Sequence, residues 1–353
     1  MGVDPYTSLV WADQSRNISR LADQERRREM RVFAIILIIT FLSSCERQQE
    51  LCFNHEQHDR VPVDVVFDWS IAPDADPISM SLYLFPDDGL PPSVYQFSGR
   101  DGGRIMALPG KYTALAINTD TENSKVHNAD LLETFEIRLV ETNDLQGLNV
   151  RSKVIPRAPG TETESMACSS DMIWRARTDD VEFKQSDDSP TTLIMHPSEA
   201  VFRYSVEINN VENLSCILSM SASVTGMSGS MFVADGLVSD EAVTIPFDLS
   251  QSDKTSVRGE WITFGHCGHS RSRTEYEEYS DKHFITVYAV LIDGSQWYHS
   301  FDITSLLHNL SDDQTLIRID EGLHIPQVSQ SDEGAGFNIS IDDWQTLPVD
   351  IPM

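Results

Sequence analysis

Residues 200–224 read AVFRYSVEINNVENLSCILSMSASV, and the spacing of their apolar side chains decides the fold. Over 200–208 and again over 214–224, apolar and polar residues alternate in runs of strand length, the period that sends successive side chains to opposite faces of a pleated strand. A helix would need apolar residues every three to four positions, and no segment of the chain sustains that spacing beyond two turns. Working outward, the same pattern recurs at 230–233, 242–247 (AVTIPF), 255–264 (TSVRGEWITF), 284–292 (FITVYAVLI), 296–303 (QWYHSFDI) and 336–344 (GFNISIDDW). Only 304–310 (TSLLHNL) reads as a helical turn.

Upstream, 63–69 (VDVVFDW), 80–85 (MSLYLF), 112–118 (YTALAIN) and 135–140 (FEIRLV) form an earlier series. The stretches FPDDGLPP (85–92), SGRDGG (98–103) and LPGK (108–111) punctuate it with turn chemistry, Pro fixing φ and Gly supplying positive φ. Residues 156–191 lose the alternation and gain Pro, Thr, Ser and Asp, so they read as a long irregular excursion with a boundary at its end. Short strands at this spacing predict an all-β chain of two tandem β-sandwich domains, 61–191 and 192–353.

A different signal stands ahead of the strands. Residues 32–42, VFAIILIITFL, are uncharged, but as a helix they rise only ~16 Å against a hydrocarbon core of ~30 Å. Arg26, Arg27, Arg28 and Arg31 precede them, and Leu42-Ser43-Ser44-Cys45 follows, a tetrad that resembles the bacterial lipobox. Residues 30–44 are therefore expected to be a lipoprotein signal peptide, Cys45 the lipidated residue that attaches the chain to a membrane, and 45–60 a tether. Met30 is the expected start, with 1–29 an extension set aside from the fold.

Without residues 1–45, which carry six basic and five acidic side chains, 20 Lys and Arg face 50 Asp and Glu, a formal charge of −30. Such a surface repels phosphate, which argues against nucleic acid as a partner. A hydrophobic content of 40% still supports packed cores. Of five cysteines, Cys52, Cys168, Cys216 and Cys267 remain once Cys45 is lipidated, as disulfides or free thiols.

Several phrases together resemble a Bacteroidales lipoprotein family filed as a domain of unknown function, of the fimbrillin and minor-fimbrium-anchor type. They are CERQQELCFNH (45–55), APDADPISMSLYLFPDDG (72–89), GKYTALAINTDTEN (110–123), YSVEINNVENLSCILSMSASVTGMSGS (204–230), ITFGHC (262–267), ITVYAVLIDGSQWY (285–298) and GFNISIDDWQTLPVDI (336–351). The resemblance implies tandem sandwiches of transthyretin-like, fimbrillin-like topology on an outer-membrane lipid anchor. It also implies other fimbrial subunits as partners through strand addition, in which main-chain hydrogen bonds and side-chain pockets hold an extra strand. With no clear Arg-directed cleavage site before the first strand and no spare donor segment after Trp344, an anchor, tip or stand-alone surface protein fits better than a stalk subunit.

The chemistry-bearing residues are sparse. Cys52, His55 and His58, with His266, Cys267 and His269, are soft zinc ligands, but their spacing is not a closed finger pattern, so HCGH reads as a turn and no metal is expected. Asp74, Asp76, Asn118, Asp120 and Glu122 offer oxygens at alternate positions without the Gly and distal Glu of a calcium loop. Gly226-Met227-Ser228-Gly229-Ser230 misses the nucleophile-elbow pattern by its last residue. No enzyme and no cofactor is expected. Trp261, Trp297, Tyr298 and Trp344 are candidates for a glycan platform, with the sandwich core as the default place for alternating aromatics.

Overall fold

In the computed structural model the described residues are 60–145, 148, 155–185, 190–267, 282–310, 315–328 and 344–345. The signal peptide, the tether before Arg60, Cys45, Cys52, His55, His58, His269 and the 336–343 run lie outside them. No helix among the described residues is long and apolar enough to cross a membrane.

Val61–Phe67 shows why the chain folds as strands. Val61, Val63, Val65 and Phe67 turn into the core while Val66 faces out, the two-residue period read from the sequence. This strand is the middle of a three-stranded sheet, antiparallel to Gly102–Ala107 and parallel to Thr191–Met195. A five-stranded sheet runs Ser198–Glu199, Trp174–Phe183, Gly110–Asn118, Ser79–Pro86, Ser93–Ser98. Val63, Val65, Met80, Leu82, Leu84, Ala114, Ala116, Leu193 and Met195 pack together between the two sheets. The chain passes from one sheet to the other at SGRDGG, where Gly102 has φ +89° and a Cβ there would collide with the Val65 carbonyl oxygen. Only glycine makes that crossing.

The second sandwich is one continuous path of strands: Leu316–Ile319, Phe202–Ile208, Ser256–Thr263, Ala242–Asp253, Ile217–Ser228, Phe284–Leu291, Gln296–Asp302, Trp344–Gln345. Ala242–Asp253 makes the corner. Its residues 242–248 pair with Ile217–Ser228 and its residues 249–253 with Ser256–Thr263, so one bent strand serves two sheets. Inside, Trp261 is sandwiched between Tyr204 and Phe247, with ring centroids 5.6 and 4.8 Å away.

A further four-stranded layer, Leu237–Val238, Ser230–Phe232, Glu136–Leu139 and Ser124–His127, joins the two series. Phe135, just before Glu136–Leu139, packs on Tyr83 and Phe85 from the outer face of Ser79–Pro86. MSLYLF is thus buried on both faces, where alternation predicts one.

The excursion expected over 156–191 is not irregular throughout. It contains Ser165–Met166, which pairs with the corner strand, and the ten-residue Trp174–Phe183 of the five-stranded sheet. The latter was illegible because only Ala176 and Phe183 of its side chains are fully buried. Arg175 and Arg177 instead reach across to the Val233 and Ala234 carbonyls and to Asp235. Thr191–Met195 also lies with the first sandwich through its pairing to Val61–Phe67, so the strands on either side of the expected boundary at 191 interleave.

Candidate functional site

The sequence candidates scatter, and most turn out to hold the fold together. Asn118 is buried and its amide donates to the Met172 carbonyl at 3.0 Å and to Asp120 Oδ1 at 2.9 Å, while its oxygen accepts from Trp174 N at 2.8 Å. Asp120 Oδ2 in turn accepts from Ile78 N at 2.7 Å. Asn118 Oδ1 and Asp120 Oδ2 are thereby spent on backbone N–H groups and Asp120 Oδ1 on the Asn118 amide, as expected of Asn and Asp in a turn. Ser228 is buried, and its hydroxyl lies 2.7 Å from the Ser239 carbonyl and 2.9 Å from that of Ser230, a main-chain anchor. Trp261 and Trp297 are core residues, whereas Tyr298 and Trp344 are half-buried around Tyr288. No disulfide joins any two of Cys168, Cys216 and Cys267. The thiol of Cys267 lies 3.7 Å from the Met227 carbonyl.

The structure does assemble one group of side chains that local spacing could not show. His266, His283 and His308 each offer a ligand atom within 4.8 Å of the other two. His266 and His283 are buried, and His308 is half-buried at the end of the short helix Thr304–His308. The three rings meet at centroid separations of 5.2, 4.7 and 5.0 Å. A bulge organises them. The pairing of Ile217–Ser228 with Ala242–Asp253 slips between Val224 and Met227, and Gly226 takes φ +73°. On one side of the bulge Met227 bridges to His266 and the Gly226 carbonyl accepts from Cys267 N at 2.9 Å. On the other, His283 Nδ1 lies 3.2 Å from the Thr225 carbonyl, and Phe284 N donates to Thr225 Oγ1 at 2.9 Å. A Cβ on Gly226 would strike His283 Nδ1, so glycine is needed for the ring to sit there. The helix is tied in as well: His283 N donates to Thr304 Oγ1 at 2.9 Å and Ile303 N to the His283 carbonyl at 2.9 Å. Sequence spacing sets His266 with Cys267 and His269, and with Cys52, His55 and His58; its partners in the structure are His283, just before Phe284–Leu291, and His308, at the end of Thr304–His308.

A second feature is an open sheet edge. Ser93–Ser98 ends the five-stranded sheet, and among the described residues only Ser79–Pro86 pairs with it. Its Val94 is 50% exposed. An unpaired edge of this kind presents a row of backbone donors and acceptors. The edge of the other sheet is less open, because Arg60 and Tyr95 both donate to the Met106 carbonyl of Gly102–Ala107, each at 3.0 Å.

Two packed sandwiches joined by a shared layer, one with an open edge, define an all-β protein of the double-sandwich class. The chain belongs to the DUF5119 family, a domain of unknown function whose model matches residues 44–248. It is 22% identical over 215 residues to the "Putative fimbrium anchoring subunit Fim4B" of Bacteroides ovatus, covering 61% of this chain and 59% of that protein. The chain thus spans about three fifths of that curated relative. Among solved structures, a "putative adhesin" from Bacteroides ovatus superposes with TM-score 0.57 at 18% identity, covering 77% of this chain and 94% of the other, and establishes the shared fold. The fimbrial anchor protein Mfa2 of Porphyromonas gingivalis matches with TM-score 0.41 at 14% identity, over 73% and 87% of the two chains.

Proposed function

We propose that the protein is an outer-membrane lipoprotein, held through Cys45, that anchors or caps a fimbrium or serves as a cell-surface adhesin. The observation that carries this reading is the adhesin-type double sandwich placed directly after a lipobox-like tetrad. The relative named for fimbrium anchoring supports it, since its likeness extends over most of this chain. Ser93–Ser98 supplies a place where a strand from a neighbouring fimbrial subunit adds to the sheet, with main-chain hydrogen bonds as the driving contact. The alternative, a glycan-binding module without a fimbrial role, has less support, because two of its four candidate aromatics are core residues.

The test is Cys45→Ala in the native cell. The variant is expected to leave the outer-membrane fraction and fimbriae to be shed into the medium. Retention of the variant in the membrane rejects the lipid anchor; release of the protein with fimbriae still cell-bound rejects the anchoring role.

A further inference from the structure

We propose that His266, His283 and His308 form a binding site for a divalent ion of the zinc class, which staples three separate segments at one end of the second sandwich. The ligand type comes first. Imidazole nitrogens suit borderline metals such as zinc, whereas calcium and magnesium require oxygen. The geometry agrees: with Zn–N near 2.0 Å, three imidazoles bound end-on to one tetrahedral ion have ring centroids about 5 Å apart. The observed separations are 4.7, 5.0 and 5.2 Å.

The hydrogen bonds point the same way. His283 Nδ1 faces the Thr225 carbonyl at 3.2 Å and His266 Nδ1 faces the Cys267 carbonyl at 3.1 Å. A carbonyl can only accept, so in both rings Nδ1 donates, and in the neutral imidazole the lone pair then lies on Nε2. A carbonyl that fixes the tautomer and the ring plane is the usual outer support of a metal-ligating histidine. In a loaded tetrahedral site the nitrogens lie about 3.3 Å apart, so the present spacing of up to 4.8 Å closes by a modest ring movement. His308 is the ring able to make it, being half-buried at a helix end while the other two are locked to the bulge. The same partial exposure gives the ion its way in. Three nitrogens leave a fourth position for water or another donor.

The ion would connect the turn after Ser256–Thr263, the start of Phe284–Leu291 and Thr304–His308, adding a direct link to the hydrogen bonds that already tie His283 to Thr225, Ile303 and Thr304. The purified full chain is stripped with chelator and titrated with cobalt(II), then with zinc against a chromophoric competitor. Expected are one ion per chain, visible d–d bands of tetrahedral intensity, and a rise in melting temperature. His308→Ala should weaken zinc by at least ~100-fold, since a ligand matters at least as much as its outer support. His324→Ala, an exposed histidine paired with Glu212, should change nothing. Should His308→Ala not fold, His308→Asp keeps a ligating oxygen and is expected to bind more weakly with a shifted cobalt spectrum. Failure of the wild-type chain to bind stoichiometrically, or binding and spectrum unaltered by the His308 substitutions, overturns the proposal.

Discussion

The ring of Tyr83 meets the ring of Phe135 edge-on, their centroids 4.7 Å apart at 62°. Tyr83 lies in the first sandwich, and Phe135 is bound through its carbonyl to Val233 N of the second series at 2.8 Å. One hydrophobic cluster therefore runs from Tyr83 and Phe85 through Phe135 and Ile137 to Val224 and Trp261. Phe135→Ala should cost about 3–5 kcal/mol, as for other fully buried aromatics. Both sandwiches should melt together, so that far-ultraviolet dichroism and tryptophan fluorescence give one midpoint that falls in the variant. Two transitions, of which only one moves, would show that the shared core does not couple them.

Asn118 satisfies three groups at the seam between Gly110–Asn118 and the start of Trp174–Phe183. Replacing it with Ala leaves Trp174 N and the Met172 carbonyl without their partner in a buried place. The expected loss is about 2–4 kcal/mol in chemical denaturation. Added calcium should leave the midpoint of wild type and variant unchanged. A calcium-dependent rise that Asn118→Ala abolishes would restore the calcium-loop reading of NTDTEN.

His299 packs edge-on against Phe301, with centroids 4.6 Å apart, and stacks on Trp297. Burial holds its pKa below the ordinary 6.5. The folded state therefore binds fewer protons than the unfolded chain, and the sign follows from that difference. This contribution to stability is complete above about pH 6.5 and is lost as the pH falls through that value toward the lower folded pKa. His299→Gln should shrink the drop in melting temperature between pH 8 and pH 5. An identical drop in both proteins would assign the acid sensitivity elsewhere.

Trp261 fills the space between Tyr204 and Phe247 and is 1% exposed. Trp261→Ala should destabilise by about 3–5 kcal/mol. Any glycan binding should survive Trp261→Phe, which keeps the stack. If Trp261→Phe abolished sugar binding in a protein of unchanged melting temperature, the core assignment would be wrong.

The sequence made strands legible at several places where one face is buried and the other wet, as in Val61–Phe67 and Ser256–Thr263, but not at Gly102–Ala107 or Thr191–Met195, which alternate too. Layering was harder to read where that contrast is missing. Ser79–Pro86 hides both faces, and Trp174–Phe183 hides little more than Ala176 and Phe183, so neither shows which layers it joins. Pairing between distant strands was also beyond reach, because nothing local to Thr191–Met195 marks Val61–Phe67 as its neighbour. The histidine group is the sharpest instance. Its three members have unrelated neighbours, HCGH, KHFIT and LLHNL, and become one site only through the bulge at Gly226.

The place of Val61–Phe67 within its sheet has a mechanical meaning. This is the first described strand of the chain, and it lies between two others rather than at a rim. A pull directed along the axis of Val61–Phe67 would load the ladders to Gly102–Ala107 and Thr191–Met195 side by side. Hydrogen bonds stressed in that direction yield as a set, whereas those of a peeled rim strand yield one after another. A protein tethered at its amino-terminal side would thus resist tension at the point where tension arrives.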